Sequence, residues 1–80
     1  MLTELENTAK VVGVKQTRRA LSGGRAKAVF LARDADPALT EPLAAQAEEQ
    51  GVAVHWTDSM KALGKACGIS VGAAVAASVA

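Results

Sequence analysis

Apolar residues recur along the chain in two rhythms, one helical and one of strands. Leu2, Leu5 and Ala9 fall at helical spacing around Thr3-Glu4-Leu5-Glu6, which has the Ser/Thr-x-x-Glu form of a capping box, so a first helix is predicted over about residues 3–9. Val11-Val12 reads as a short strand broken by Gly13. Residues 15–22 contain neither Gly nor Pro and stop at Gly23-Gly24, the signature of a helix with a glycine at its C-terminal end. Residues 28–32, Ala-Val-Phe-Leu-Ala, form an unbroken apolar run, as in a strand buried on both faces, and are the candidate central strand. Asp36-Pro37 reads as an N-cap followed by a residue suited to the first helical position. Pro42 then suggests a restart capped by Thr40, with the main helix running to Gln50 and stopping at Gly51. Val52, Val54 and Trp56 alternate with Ala53 and His55 as a strand does. Asp58 is the expected cap of a further helix, with Met60, Leu63 and Cys67 inward and Gly68 at its end. Residues 71–80 suit a helix by alanine content or a strand by position, and a strand is preferred because it extends the sheet. This alternation predicts an α/β fold, a three-layer α/β/α sandwich with a mixed four-stranded sheet, in a single domain over residues 1–80.

Composition narrows the packing. Half of the 80 residues are apolar, but 18 are alanine and only Phe30 and Trp56 are aromatic, so the core must be built from small side chains between regular elements. Cys67 is the only cysteine and can form neither an internal disulfide nor, without clustered partners, a structural zinc site, which suits a reducing, cytoplasmic setting. The acidic N-terminus is unlike a signal peptide, and the uncharged stretch over residues 66–80 is too short for a membrane span, so a soluble protein is expected.

A net charge of +1 hides a strong asymmetry. Lys10, Lys15, Arg18, Arg19, Arg25, Lys27 and Arg33 follow one another with no acid between, and Asp34, Asp36, Glu41, Glu48, Glu49 and Asp58 then follow with no Lys or Arg. One basic and one acidic surface result, and a polyanionic partner fits the first. Solvated faces are the plain alternative. Lys15, Arg18, Arg19 and Ser22 share one face of the second helix at i, i+3, i+4 and i+7, opposite Thr17, Ala20 and Leu21. Gly13 permits close approach to that helix start, whose unpaired N–H groups favour phosphates.

Catalytic chemistry has no comparable support. One His, one Cys and scattered Ser/Thr show no nucleophile–base spacing, and Gly23-Gly24-Arg25 lacks the Gly-Lys-Ser/Thr ending of a phosphate-binding loop. No enzyme, cofactor or metal is expected. Two aromatics in core strands leave no platform for stacking single-stranded bases, so a bound RNA is expected to be structured. Lys15, Gln16 and Arg19 would then meet purine edges and phosphates.

Three ordered motifs carry a resemblance over nearly the whole chain: Gly13-Val14-Lys15-Gln16-Thr17-Arg18-Arg19, Asp34-Ala35-Asp36-Pro37, and residues 63–71, Leu-Gly-Lys-Ala-Cys-Gly-Ile-Ser-Val. They resemble the kink-turn RNA-binding ribosomal proteins of the archaeal L-seven-Ae and L-thirty-e type, especially the short bacterial members. In that family Gly-x-Asn-Glu-x-x-Lys meets the tandem sheared G·A pairs, and Lys15, Gln16 and Arg19 stand for the Asn, Glu and Lys. The resemblance implies that Asp36 lies near a flipped-out nucleotide and that the loop Gly68-Ile69-Ser70-Val71 packs apolar side chains against it. Some relatives carry an Arg at the position of Val71. The implied RNA-binding set is Gly13, Lys15, Gln16, Arg18, Arg19, Arg33, Asp36, Gly68, Ile69, Ser70 and Val71. The implied partner is a kink-turn in ribosomal RNA or a riboswitch, bound without catalysis by a monomer. The rival reading is a small protein-interaction domain using its acidic face.

Overall fold

The computed structural model describes residues 9–79. Their elements are β1 (Lys10–Val12), α1 (Val14–Ser22), β2 (Ala26–Ala32), α2 (Pro37–Glu49), β3 (Ala53–Thr57), α3 (Met60–Ala66) and β4 (Val75–Val79). The expected helix over residues 3–9 lies outside the described residues apart from its last position. The four strands form one sheet in the order β1-β4-β2-β3, mixed as expected: β4 runs antiparallel to β1 and β2, while β2 and β3 are parallel.

The apolar run of β2 is buried because both faces of the sheet are covered. Val29 and Leu31 pack with Leu21 of α1, Leu43, Ala44 and Ala47 of α2, and Val75 and Ala77 of β4. Ala28, Phe30 and Ala32 point the other way, toward Leu63 and Ala66 of α3 and Cys67 just after it. The result is a three-layer sandwich with α1 and α2 on one face and α3 on the other. Phe30 is fully buried, and the His55 ring tilts against it with centroids 5.1 Å apart, so the histidine serves packing. Burial pushes the Cys67 thiol above its ordinary pKa, with Lys10 acting weakly against that, so the sulfur stays protonated and inert at neutral pH.

Four local expectations are corrected. α2 runs without a restart from Pro37 through Pro42 to Glu49, and Thr40 is buried inside it rather than acting as a cap. Pro42 withholds one N–H from the Ala38 carbonyl, but both residues are exposed, so water can satisfy that oxygen and the helix continues. The cap of α3 is Ser59, whose hydroxyl accepts from Ala62 N at 3.0 Å, because Asp58 lies one residue too early. Met60 is not directed inward but stands exposed at the start of α3. The last strand begins at Val75, leaving residues 71–74 in the loop before it.

Candidate nucleic-acid interface

Strand direction decides which loops meet. The C-terminal ends of β1, β2 and β3 and the N-terminal end of β4 lie together, so the β1–α1, β2–α2, β3–α3 and α3–β4 connections share one end of the sheet. Hydrogen bonds tie them to one another. Gly13 N donates to Val75 O at 3.0 Å, Ala32 N to Ala74 O at 2.9 Å, and Arg33 N to Thr57 O at 2.9 Å. Across 26 residues of sequence, Met60 N donates to Asp34 Oδ1 at 2.8 Å, which adds a cap to α3 and clips the β2–α2 loop to it.

The expected residues therefore gather in three groups at this end. Lys15, Gln16, Arg18 and Arg19 are all exposed on α1, while Thr17, Ala20 and Leu21 are buried beneath them. Ser22 is exposed at the far end of the helix and its hydroxyl accepts from Gln46 Nε2 at 3.3 Å, so it faces α2. Gly13 is the N-cap of α1, and no side chain caps the first N–H groups of that helix, whereas Asp36 caps α2 and Ser59 with Asp34 caps α3. A methyl group built on Gly13 would meet nothing within 4 Å, so this helix start is open to a partner. Arg33 and Asp36 are exposed on the second loop, although one oxygen of Asp36 is already engaged by Ala38 N at 2.9 Å.

The third group is the loop after α3. Gly68 has φ +78°, Gly68 N donates to Lys65 O and Ile69 N donates to Gly64 O, the paired bonds of a Schellman helix end. In that motif the residue at Ile69's position commonly packs on the side chain at Gly64's position. Here that position is a glycine. Ile69 has no such contact and is 38% exposed, and Val71 is 68% exposed. Gly64 is itself buried because the loop folds back across α3: a methyl group at Gly64 would overlap the Val71 carbonyl oxygen, and one at Gly72 would come within 3.1 Å of Met60 Cβ. The exposed apolar side chains are thus held on a fixed backbone.

Sequence reasoning missed Gly64 and Gly72 as the notches that seat this loop, and Leu39 and Met60 as further exposed apolar side chains at the same end. The spacing of Gly64 and Gly72 about one helix end is the only signal that could have shown the first; nothing in the helical pattern of α2 marks Leu39 as exposed. Among the described residues no group of three or more His, Cys, Asp or Glu is placed to hold a metal, and no helix is long and apolar enough to cross a membrane.

The model of the Ribosomal protein L7Ae/L30e/S12e/Gadd45 family matches residues 2–80. The chain belongs to this family. Within reach of it stands an RNA-binding protein of Bacillus pumilus, 52% identical over 67 residues that span 84% of this chain and 82% of that protein. The large ribosomal subunit protein eL8 of Halobacterium salinarum is more distant, at 38% identity over 69 residues, 85% of this chain and 58% of eL8. Among solved structures, the Giardia lamblia 15.5kD RNA binding protein superposes with a TM-score of 0.92 at 30% identity, covering 99% of this chain and 70% of that one. These family members are named as RNA-binding or ribosomal proteins and not as enzymes, in agreement with the non-catalytic reading of the sequence.

Proposed function

We propose that this chain binds structured RNA at a kink-turn, as a single cytoplasmic domain over residues 1–80 acting as a monomer in or beside the ribosome or on a riboswitch. The observation that carries the reading is the convergence, at one end of the sheet, of an uncapped basic helix start with a rigid loop presenting Ile69 and Val71. Phosphates and purine edges need the first. An unstacked nucleotide suits the second, because splaying it out exposes a base face that apolar side chains can cover. Lys15 and Arg19 meet phosphates and purine edges, Gln16 offers both a donor and an acceptor to a base edge, and Ile69 and Val71 cover the extruded base. Relatives named RNA-binding protein in Bacillus pumilus and Giardia lamblia, and a ribosomal one in Halobacterium salinarum, support this assignment. The rival acidic docking face rests on Glu41, Glu48, Glu49 and Asp58, all exposed, since Asp34 and Asp36 each engage one oxygen in a helix cap.

The test is titration of a kink-turn RNA against the same duplex with its G·A pairs replaced by Watson–Crick pairs. The kink-turn should bind at least tenfold more tightly at one salt concentration. Equal binding to both would reduce the protein to a general polyanion binder.

A further inference from the structure

The two edges of the sheet are unlike. β1, at one edge, has three residues and carries Lys10, whereas β3, at the other, has five, Ala-Val-His-Trp-Thr, with no Pro, Lys, Arg, Asp or Glu among them. Shortness and an edge lysine keep a foreign strand from pairing, and β3 has neither. The ladder fixes which of its backbone groups are free. Arg33 N donates to Thr57 O, and Thr57 stands opposite Ala32 in the parallel pairing, so Ala53, His55 and Thr57 turn their N–H and C=O groups toward β2. Val54 and Trp56 alternate with them and turn theirs to the open side. Among the described residues no other strand or loop pairs with those groups.

Acids frame this edge. α1 packs nearer β4 and α2 nearer β3. On α2, Gln46 reaches α1 through Ser22, while Glu41 and Glu48, about two turns apart, share the opposite flank, the one over β3, and both are exposed. Asp58, also exposed, follows the strand directly. Between Asp34 and Asp58 the chain has no Lys or Arg. The next bases, Lys61 and Lys65, are exposed on α3 across the sheet, on the side of that helix turned away from the buried Leu63. The side chains of Val54 and Trp56 are half-buried in the cluster beneath α2.

We propose that the β3 edge docks a basic, extended segment of a partner protein, which adds one strand to the sheet. Its backbone pairs with Val54 and Trp56, and its Lys or Arg side chains on the α2 side lay their stems along Trp56 and direct their charges to Glu41 and Glu48. A second copy of this chain fits less well: antiparallel self-pairing about His55 sets Val54 against Trp56 but brings Glu48 of each copy toward Asp58 of the other. A nucleic acid is repelled by the same acids. This edge runs down the side of the sheet, apart from α1, and its role is independent of what α1 binds.

The probe is an eight-residue peptide alternating Lys and Val, with a Glu and Val counterpart, titrated into the isotope-labelled full chain. The basic peptide should move the Val54 and Trp56 amides downfield and slow their exchange with solvent about tenfold at saturation, and the acidic one should not bind. Glu41→Gln/Glu48→Gln should weaken binding about fivefold, as the loss of two exposed ion pairs would. Val54→Pro removes only an outward N–H, so it should keep the ladder to β2 and abolish peptide binding. If the proline lowers the melting temperature, the glutamine pair, which leaves the backbone alone, decides. Absence of binding at millimolar basic peptide would overturn the proposal. So would shifts confined to Glu48, Glu49 and Asp58 with exchange at Val54 and Trp56 unchanged, which is charge attraction without strand addition. A wild-type dimer in sedimentation that Val54→Pro abolishes would also overturn it, by assigning the edge to a second copy.

Discussion

The ends of α2 and α3 are built alike and used differently. Each closes with a Schellman pair of hydrogen bonds around a glycine at positive φ, Gly51 in one and Gly68 in the other, and each is followed by a β-branched residue, Val52 or Ile69. Val52 is half-buried and packs, with Ala47, in the cluster beneath α2. Ile69 stands over Gly64, finds no side chain there, and is exposed. The same backbone motif thus hides one apolar residue and displays the other, and the difference is the residue at the third position from the helix end. Exposure of Ile69 is therefore built into the sequence and does not reflect a loosely packed loop.

The largest effect should come from filling the notch. Gly64→Ala forces its new methyl against the Val71 carbonyl, and overpacking of this kind costs roughly 1–3 kcal/mol. Because the loop must move, affinity for a kink-turn RNA should fall together with the melting temperature. A stable variant with unchanged affinity would show that the seat of the loop is irrelevant to binding. Gln16→Ala should act on discrimination, narrowing the gap between kink-turn and G·A-replaced duplex by about 1–3 kcal/mol, the worth of a base-edge contact. Titration of both RNAs checks it, and a parallel loss on each would remove Gln16 from base reading.

Val52→Ala and Ile69→Ala test the two helix ends against each other. Each removes a few methylenes, worth on the order of 1 kcal/mol when buried. Val52→Ala should lower the melting temperature and leave RNA affinity alone, whereas Ile69→Ala should do the reverse. A melting drop in Ile69→Ala with intact affinity would place that side chain with the core after all. The smallest expected effect is at Cys67: its buried, protonated thiol should react with a thiol reagent at neutral pH far more slowly in the native chain than in denaturant. Equal rates would mean that the helix end beside the loop opens freely.

The sheet and its covering helices were legible because each buried strand or helix announces its period. The run from Ala28 to Ala32 has apolar residues on both faces, and the helical spacing of Thr17, Ala20 and Leu21 marks the inner side of α1. Boundaries decided by competition were not. Pro42 continues a helix that local rules would restart, because Ala38, whose carbonyl it leaves without the usual partner, lies on the exposed side, and Ser59 takes the cap from Asp58 by one residue of register. Of the candidate site, the exposed charges on α1 could be read from helical spacing. The seating of the loop on Gly64 and the bond from Met60 to Asp34 join residues far apart in sequence, and no periodic pattern reports such pairs. The same holds for the irregular pairing of β2 with β4 between Ala26 and Ala28, where Lys27 stands exposed within the strand.

The central claim is that one end of the sheet meets RNA, and amide chemical shifts of the isotope-labelled chain test it most directly when a kink-turn RNA is added. The amides of Gly13, Gln16, Arg33, Gly68 and Ile69 should move most at saturation, while those of Ala53 and Val54 on β3 and of Glu48 and Glu49 on α2 stay in place. Shifts centred on Glu48 and Glu49, with the helix start and the loop after α3 unmoved, would contradict the account.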